Sequence, residues 1–479
     1  MRNKLPTANK ISTKKIGRNS MYKINFKNPV HVHFIGIGGI SMSGLAEVLL
    51  NKGFTISGSD FKESPLTRHL AEKGAAVFYG QKASNIIDGI DVVVYTAAIH
   101  KDNEELIAAQ NQNLPLLTRA ELLGQLMTNY EIPIAVAGTH GKTTTTSMLS
   151  HALLEGELDP TVSVGGILKK IGGNIRVGNS EIFLTEACEY TNSFLSFLPK
   201  IGIILNVEED HLDFFRDLTH IIDSFHRFAK LLPHDGALII NGAIKGLETI
   251  TAGLSCQIIT YGLDPSMDYS VTNIAYDEKG NASYDLLKNG MFVRRIELAV
   301  NGAHNVLNSL AAIIAGELVG LSLDTIQAGL LSFEGTGRRF EHKGDKNGFT
   351  IIDDYAHHPT EIRATLEAAR HYPHKQIWCV FQPHTYTRTK ALFHEFVDAL
   401  TLADHVIMAD IYAARETDTL GVSSEQIAAA LKGKGHDAYY LNSFEKIEQF
   451  ALENCKKGDV LITMGAGDVV NIGDSILKD

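Results

Sequence analysis

Short apolar runs alternate with helical patterns along almost the whole chain, and this alternation limits the folds that the chain can adopt. In the first third, the apolar runs at 31–35 and 92–95 are each followed by a stretch with helical periodicity, at 40–51 and 103–109. Strands that alternate with helices pair in parallel sheets, with the helices as crossover connections. The sequence therefore predicts an α/β protein built on parallel sheets.

The alternating pattern restarts twice, which predicts more than one domain. The polar segment 128–131 precedes a new apolar run at 132–137, and the glycine-containing segment 334–337 precedes a third block. With 479 residues, the chain has the length of about three domains of roughly 150 residues each. We predict a flexible N-terminal extension over 1–28, followed by domains over 29–129, 130–334 and 335–479.

The composition argues against several classes of protein. Lys and Arg number 44 against 55 Asp and Glu, a formal net charge of −11, whereas nucleic-acid-binding proteins concentrate positive charge. The longest apolar runs fall far short of the about 20 residues that a membrane-spanning helix needs. Residues 1–28 contain no apolar core of signal-peptide length. We therefore expect a cytoplasmic protein with no nucleic-acid or membrane partner.

A glycine-rich turn follows the first predicted strand and precedes a helix. Gly36, Gly38 and Gly39 let the backbone approach a diphosphate, and the helix N-terminus offers N–H donors to it. Asp60 ends the next predicted strand, but Ser41 replaces the third glycine of the GxGxxG pattern. Taken alone, the motif suggests a nicotinamide-dependent dehydrogenase. The alternative is a tight strand-to-helix turn without a ligand.

A second glycine-containing turn, at 138–144, also lies between a strand and a helix. In phosphate-binding loops the backbone amides surround the phosphate oxygens, a lysine contacts the β and γ phosphates, and a hydroxyl binds Mg²⁺. The loop is shorter than the GxxxxGK[ST] pattern, because Val136 stands where the first glycine belongs. The predicted ATP contacts here are Gly138, Thr139, His140, Gly141, Lys142, Thr143 and Thr144.

Acidic side chains and a histidine follow two further strands of the central block. Glu186 and Glu189 come after one predicted strand, and Asp210, His211 and Asp213 come after the next. Ligands of open α/β sheets lie beyond the carboxyl ends of the strands, so these groups should converge with the phosphate loop. Carboxylate oxygens suit Mg²⁺, and an imidazole is acceptable at a second metal ion. The alternative is a set of solvated acids and a loop histidine.

Two histidine-rich segments follow strands of the third block. They are DDYAHHP at 353–359 and QPHTYTRT at 382–389, and each precedes a helix. Arg338 and Arg339 in the preceding linker add two fixed positive charges. This combination suits a site for anionic reactants, and the alternative is ordinary polar loops.

Seven segments occur in an order that is highly specific. They are GIGGISMSG at 36–44, AGTHGKTT at 137–144, NVEEDHLD at 206–213, NGAHNVLN at 301–308, GTGRRF at 335–340, DDYAHHPTE at 353–361 and FQPHTYTRT at 381–389. In this combination the chain closely resembles the Mur ligases of bacterial peptidoglycan synthesis. The resemblance runs in register from about residue 30 to residue 472.

This resemblance implies an architecture and a reaction. It implies a Rossmann-like N-terminal domain that binds UDP, a central P-loop ATPase α/β domain, and a Rossmann-like C-terminal domain that brings the amino acid. The implied enzyme is an ADP-forming ligase that uses ATP and Mg²⁺, with two ions expected. It would join L-alanine to the lactyl carboxylate of UDP-N-acetylmuramic acid through an acyl phosphate. A monomer or a homodimer is expected.

The resemblance also implies roles for individual residues. The implied catalytic residues are Lys142, Glu186, His211, Arg339 and Asp354. The implied metal ligands are Thr143, Glu186 and His211. Besides the phosphate loop, the ATP contacts would be Asn305, Asn308 and Arg339. The UDP-sugar contacts would be Gly36, Gly38, Gly39, Asp60, Thr96 and Ala97. L-Alanine would meet Tyr355, His357 and Arg388.

Two positions depart from the family pattern. Many relatives have an arginine where this chain has Thr385, so we expect recognition of the alanine carboxylate to depend more on Arg388. Several Mur ligases carry a carboxylated lysine between two metal ions, and this chain has His226 there. The alanine-adding ligases generally lack that lysine too, which leaves the second metal site open.

Three other functions remain open from the sequence. A ligase of murein recycling would join a tripeptide to the same UDP-sugar and would share every ATP-site residue. A regulatory nucleotide-binding module would perform no chemistry, and the presence of Lys142, Glu186 and His211 argues against it. A dehydrogenase is a distant third, because the resemblance reassigns the first glycine motif to UDP.

Overall fold

Three largely parallel sheets organise the residues that this computed structural model describes, which are 22–96, 98–414, 416–418 and 420–478. Each sheet packs against helices that connect its strands. The predicted α/β fold class is therefore confirmed. Within these described ranges, none of the helices combines the length and the apolar character needed to cross a membrane.

The first sheet is built from the N-terminal part of the described chain. Its strands are β1 (His31–Ile35), β2 (Thr55–Asp60), β3 (Ala76–Tyr79), β4 (Val92–Tyr95) and β5 (Leu116–Thr118). The helices are α1 (Ile40–Asn51), α2 (Pro65–Glu72), α3 (Glu104–Asn111) and α4 (Arg119–Met127). The strands are parallel in the order β3-β2-β1-β4-β5, so the glycine-rich turn after β1 lies where the strand order reverses.

Residues 22–28 pack against this first domain. Of the extension predicted for residues 1–28, residues 1–21 lie outside the described residues. In the remainder, Ile24 is 2% exposed, and its carbonyl accepts a hydrogen bond from Asn129 Nδ2 at 3.0 Å. The ring of Phe26 contacts those of Phe54 and Tyr130 edge to face. Apolar contacts therefore hold this part of the segment beside the predicted linker.

The middle sheet is parallel at its centre and antiparallel at its edges. Its strands are β6 (Ile132–Ala137), β7 (Thr161–Leu168), β8 (Gly173–Arg176), β9 (Ile182–Ala187), β10 (Ile201–Ile204), β11 (Ala237–Asn241), β12 (Gln257–Gly262), β13 (Tyr269–Tyr276), β14 (Asn281–Lys288) and β15 (Met291–Asn301). The helices are α5 (Lys142–Glu155), α6 (Leu218–Ala229), α7 (Leu247–Thr251), α8 (Ala303–Leu318) and α9 (Leu323–Leu331). The strand order is β15-β14-β13-β12-β11-β10-β6-β9-β7-β8.

Helix α5 begins directly after the phosphate loop, although its first turn is a poor helix-forming sequence. Lys142 is followed by four threonines, whose β-branched side chains lose freedom in a helix. Residues 145–153 are buried, and the helix packs against α8 and α9. Tertiary packing therefore holds α5 in place, and the loop is anchored at both of its ends.

The third sheet continues the same architecture. Its strands are β16 (Glu341–Lys346), β17 (Phe349–Asp354), β18 (Ile377–Phe381), β19 (His405–Met408), β20 (Asp437–Tyr440) and β21 (Val460–Met464). The helices are α10 (Pro359–His371), α11 (Tyr386–Ala391), α12 (Phe393–Leu400), α13 (Ser424–Gly433), α14 (Phe444–Asn454) and α15 (Val470–Lys478). The order is β16-β17-β21-β18-β19-β20, with β16 alone antiparallel to its neighbour. Helix α10 contacts α8 and β15 of the middle domain.

We expect Gly124→Ala to lower the thermal unfolding midpoint. A Cβ on Gly124, in α4, would lie 1.9 Å from the carbonyl oxygen of Ser196, so α4 or the facing segment must move. Overpacking of this kind costs about 1–3 kcal/mol. Gly433→Ala is the matched control, because Gly433 ends α13 and nothing lies within 4 Å of its added Cβ. Thermal unfolding is followed by circular dichroism. Equal unfolding midpoints for the two variants would contradict this packing.

Candidate active site

The phosphate loop connects β6 to α5 at the carboxyl end of the middle sheet. Gly141 has a φ of 83°, a left-handed conformation that glycine adopts without strain. A Cβ on Gly141 would also lie 2.5 Å from Oδ1 of Asn308 in α8. Both the backbone and the close approach of Asn308 therefore require glycine, and Asn308 lies directly on the loop.

Asn206 fixes the loop to the neighbouring strand β10. Its Oδ1 accepts a hydrogen bond from the His140 N–H at 2.7 Å, and its Nδ2 donates to the His140 carbonyl at 3.1 Å. Its own carbonyl accepts from the Thr139 N–H at 3.1 Å. Asn206 is not among the site residues predicted from the sequence. The available signal is its place just after β10, one strand away from β6.

Lys142 is held against the loop and a buried carboxylate. Its Nζ donates to the carbonyls of Gly138 and Thr139, the latter at 3.0 Å, and to Oε2 of Glu189 at 3.1 Å. Burial lowers the pKa of an ammonium group, but the attraction of Glu189 more than offsets this, so the pKa of Lys142 lies above its usual value. Lys142 is therefore charged at neutral pH, and Glu189 joins the site as its partner.

Thr143 and Glu186 meet beside the loop. The Thr143 hydroxyl donates to Oε2 of Glu186 at 3.0 Å, and the Gly165 N–H donates to Oε1. Burial raises the pKa of Glu186, although these two hydrogen bonds oppose the shift. A hydroxyl and a carboxylate are the hard oxygen donors that Mg²⁺ takes beside phosphates. This pair therefore fits the predicted metal role.

His211 lies apart from that pair. Its Nε2 is 3.9 Å from Oε1 of Glu189 and 3.9 Å from Oδ2 of Asp210. Its ring stacks on that of Tyr190, with centroids 4.5 Å apart. Glu189 therefore lies between His211 and Lys142, and no direct contact within the described chain joins His211 to Thr143 or Glu186.

A large cavity opens next to the phosphate loop, between the middle and third domains. It contains about 1090 Å³ of space that opens to solvent, which is enough for a nucleotide. Asn308 Nδ2 donates to Oδ1 of Asn305 at 3.0 Å, and Asn305 Nδ2 donates to the Asn301 carbonyl at 2.7 Å, so both predicted ATP contacts are held in place. Predicted site residues on its wall are His140, Gly141, Thr144, Asn305, Asn308, Arg339 and Asp354.

The two linker arginines have different environments. Arg338 donates to Oδ2 of Asp353 at 2.9 Å and to the Gly465 carbonyl at 2.7 Å, which ties it to the third sheet. Arg339 lines the cavity instead. The ring of Tyr355 lies against both guanidinium groups, 5.0 Å from Arg338 and 5.2 Å from Arg339. Arg339 is thus the one of the pair that is oriented for a nucleotide.

Asp354 is buried at the end of β17. Its carboxylate accepts hydrogen bonds from the N–H groups of Phe340 and Ala356, each at 2.8 Å. Burial raises the pKa of Asp354 to about 6, against the opposing attraction of Arg339. A carboxyl group with this pKa changes its protonation between pH 5 and 7.

Arg388 pairs with a carboxylate of the middle domain. Its Nε and Nη2 lie 3.2 and 2.9 Å from Oδ1 of Asp210, and its Nη1 lies 3.3 Å from Nδ1 of His384. Burial opposes ionisation of Asp210, but Arg388 outweighs it and holds the pKa of that carboxyl well below its usual range. A small cleft beside this pair is also lined by His211 and Thr385.

Thr385 has a strained backbone. Its φ of 65° and ψ of 146° lie in a region that is almost reserved for glycine. The Thr385 N–H donates to the Tyr412 carbonyl at 2.9 Å, and the Thr385 carbonyl accepts from Thr389. These hydrogen bonds keep the backbone of Thr385 in this strained conformation at the edge of the Arg388 cleft.

The glycine-rich turn of the first domain is closed by the end of β2. The Ser59 carbonyl accepts from the N–H groups of Gly36 and Ile37, each at 2.9 Å, and Oδ2 of Asp60 accepts from Gly38 at 2.8 Å. A Cβ on Gly36 would lie 3.1 Å from Thr96 Cγ2, so Thr96 borders the turn. The predicted contact Ala97 lies outside the described residues.

Arg119 is a further cation beside the glycine-rich turn of the first domain. It is the first residue of α4, and its Nη1 donates to the Ser41 hydroxyl at 3.0 Å, at the N-terminus of α1. The dipole of α1 and this guanidinium both favour an anion at the glycine-rich turn. No sequence motif in this chain marks Arg119.

Three side chains near the phosphate loop have the spacing of a metal site. The donor atoms of His140, Glu208 and His358 lie within 4.8 Å of one another. Burial opposes protonation of His140, but Glu361 and Glu208 outweigh it and raise its pKa to about 9. Nε2 of His140 lies 3.6 Å from Oε2 of Glu208, and its Nδ1 lies 3.1 Å from Oε1 of Glu361. We therefore interpret this group as an ion-pair cluster at the domain interface.

Comparison with known families covers all three domains. A model of the Mur ligase family, catalytic domain, matches residues 31–131; one of the Mur ligase middle domain matches 136–316; and one of the Mur ligase, glutamate ligase domain, matches 338–467. The chain belongs to the Mur ligase family, and the resemblance found in the sequence is confirmed.

Individual relatives and structures cover nearly the whole chain. The UDP-N-acetylmuramate–L-alanine ligase of Lachnospira eligens is 59% identical over 459 residues, which are 96% of this chain and 100% of that protein. The crystal structure of the UDP-N-acetylmuramate–alanine ligase of Thermotoga maritima has a TM-score of 0.77 at 28% identity and covers 94% of this chain and 98% of that one. A murein peptide ligase from Psychrobacter arcticus has a TM-score of 0.66 at 26% identity, with the same coverage.

We expect Asn206→Ala to weaken the binding of ATP by about tenfold. The change removes both side-chain hydrogen bonds to His140, and each such bond contributes about 0.5–1.5 kcal/mol. The affinity is measured by calorimetry with a non-hydrolysable ATP analogue. UDP affinity serves as the control, because the glycine-rich turn of the first domain makes no contact with Asn206 in the described structure. Unchanged ATP affinity would show that the loop does not need this clamp.

Proposed function

We propose that this chain is an ATP-dependent ligase that joins L-alanine to the lactyl carboxylate of UDP-N-acetylmuramic acid in peptidoglycan biosynthesis. The observation that carries this proposal is identity of 59% to an L-alanine ligase over the full length of that relative. The phosphate loop, the cavity beside it and the cleft at Arg388 supply sites for the reactants in one region. The enzyme forms an amide bond and releases ADP and phosphate.

The chemistry requires activation of the carboxylate. A carboxylate is a poor electrophile, because an amine that attacked it would have to expel oxide. Transfer of the γ-phosphoryl group of ATP to the carboxylate gives an acyl phosphate, with ADP as the leaving group. The neutral amine of L-alanine then attacks the acyl carbon, and the tetrahedral intermediate expels phosphate.

The residues of the loop account for the first step. Lys142 is charged and lies on the loop, so it can exchange its contact with Glu189 for the β and γ phosphates of ATP. Asn305, Asn308 and Arg339 line the adjoining cavity and would hold the rest of the nucleotide. The oriented cations stabilise the charge that develops on the transferred group.

Mg²⁺ belongs to this reaction, and the donor set fits it. Thr143 and Glu186 would bind one ion, and His211 with Glu189 would face a second. Bound ions supply charge neutralisation between the triphosphate and the substrate carboxylate. The number of ions, two, is part of the proposal.

The remaining substrates are assigned to the two outer domains. The UDP-sugar would lie on the first domain, against Gly36, Gly38, Gly39, Asp60, Thr96 and Ala97. L-Alanine would meet Tyr355, His357 and Arg388 on the third domain, with Arg388 releasing Asp210 to take the amino-acid carboxylate. We place the enzyme in the cytoplasm, where ATP and nucleotide-linked precursors are available, and expect a monomer or a homodimer.

Release of phosphate from ATP by the purified chain tests this function. With UDP-N-acetylmuramic acid and Mg²⁺ present, we expect release that depends on L-alanine, together with the mass of the amide product. Lys142→Ala should lower the rate by at least about a hundredfold, because one charge-stabilising donor is lost. Lys245→Ala is the matched control, since Lys245 is exposed in the same domain.

Assays with other amino-group substrates distinguish the L-alanine ligase from the ligase of murein recycling. Glycine and L-serine are tested in parallel with the tripeptide of murein recycling. Release with the tripeptide alone would place the enzyme in recycling. No release with any acceptor would contradict the ligase activity.

A further inference from the structure

Glu361 is a largely buried carboxylate between the middle and third domains. It is the third residue of α10, and its side chain is 11% exposed. The first turn of α10 and the residue before it face the segment after β10, where Thr360 contacts Glu208 and His358 contacts the Glu209 carbonyl at 3.1 Å. No role has so far been given to Glu361, although residues of both reactant sites surround it.

One oxygen of Glu361 faces the nucleotide site. Its Oε1 lies 3.1 Å from Nδ1 of His140 on the phosphate loop and 3.7 Å from Nη1 of Arg339. Both side chains line the cavity next to the loop. This oxygen therefore holds two cationic groups of the ATP site in a fixed relation to α10.

The other oxygen faces the amino-acid site. Oε2 accepts from the His357 N–H at 3.1 Å and lies 3.3 Å from Nδ1 of His357. That Nδ1 is also 3.0 Å from the Tyr355 carbonyl, which can only accept. Two acceptors at Nδ1 require the hydrogen to be there. Nε2 of His357 therefore carries the free electron pair and can accept a hydrogen bond from an ammonium group.

The charges around this carboxylate come from several elements. His140 is faced by Glu361 of α10, by the ring of His358 just before α10, and by Glu208 from the segment after β10. Burial disfavours the ionised carboxyl, but the contacts of Glu361 with His357 and the charges of His140 and Arg339 outweigh it and hold the pKa of Glu361 well below its usual range. For His140, the two carboxylates outweigh burial in the same way. Glu361 is therefore an anion throughout the physiological range.

We propose that Glu361 is a positioning residue that couples the two reactant sites, with one carboxylate oxygen orienting His140 and Arg339 for ATP and the other orienting His357 for the amine. This inference rests on the proposed function for the identity of the amine. The contacts of Glu361 with the ATP site do not depend on the proposed function. Through Glu361, closure of the third domain on the phosphate loop orients both sites at once.

Glu361→Gln tests the coupling, because glutamine keeps the shape of the side chain and removes its charge. We expect the KM for ATP and the KM for L-alanine to rise together by about 10- to 100-fold, the effect of losing charge-assisted hydrogen bonds. Glu367→Gln removes one charge from the exposed face of the same helix and should leave both constants unchanged. Thermal unfolding midpoints establish that both variants are folded.

The pH dependence of ATP-analogue binding separates positioning from a merely structural role. Above about pH 7, where Asp354 on the same cavity wall is already ionised, the affinity of the parent protein should stay level up to about pH 9, where His140 loses its proton. In Glu361→Gln the pKa of His140 falls, because one of its two carboxylate neighbours is neutral, so the affinity should begin to fall at lower pH. Glu361→Asp keeps the charge and should restore the pH profile.

Two results would overturn the inference. One is a Glu361→Gln variant whose two KM values match those of Glu367→Gln. The other is a Glu361→Gln variant that loses thermal stability while its pH profile of ATP-analogue binding matches that of the parent protein. Absence of alanine-dependent turnover in the parent protein would contradict the proposed function alone, since analogue binding and its pH profile are measured without turnover.

Discussion

Parallel pairing of β6 with β9 and β10 is the constraint on which the site depends. The register places Ala137 beside Ala187 on one side and beside Ile204 on the other, so the three strands end at one level. The phosphate loop, the segment with Glu189 and the segment that begins at Asn206 all leave the sheet there, and Glu186 is the last residue but one of β9. Because parallel strands share one direction, the groups that contact a nucleotide emerge at a single edge.

Each cation of the site is already paired with a carboxylate of the protein. Lys142 is bound to Glu189, Arg388 to Asp210, and His140 to Glu361. A buried charge without a partner costs several kcal/mol, so such pairs keep the cations ionised and in place. Under the proposed function, an anionic reactant would bind by displacing one of these carboxylates from its cation. Selectivity among anionic reactants would then depend on how well each one reproduces the hydrogen-bond geometry of the carboxylate that it displaces.

The sequence predicts the parts of the site that local patterns encode. Glycine, lysine and threonine between a strand and a helix mark the phosphate loop, and the strand-end rule places Glu186 near it. The β7–β8 hairpin escapes prediction, because glycines at 165, 166, 172 and 173 interrupt the alternation of its residues. Packing of Ile24 is missed because it lies in a polar segment.

Contacts between domains are beyond the reach of local periodicity. Glu361 meets His140 only because two separately folded sheets take one relative orientation, and the distance between the two residues along the chain is 221 positions. The position of Asn206 just after β10 can be predicted from the sequence. Its hydrogen bonds to the phosphate loop cannot, because they depend on which strand lies next to β6. Sequence reasoning predicts which groups lie at strand ends and leaves their partners undetermined.

The hydrophobic clusters are shared unequally among the three domains. One continuous cluster joins Val32 and Leu122 of the first domain to Phe183 and Phe225 of the middle domain, whereas the apolar clusters of the third domain contain residues of that domain alone. The third domain meets the phosphate loop largely through ion pairs and hydrogen bonds. Heat capacity rises mainly when apolar surface is exposed to water. Separation of the third domain from the loop therefore carries a small heat-capacity change, and its free energy has little curvature with temperature.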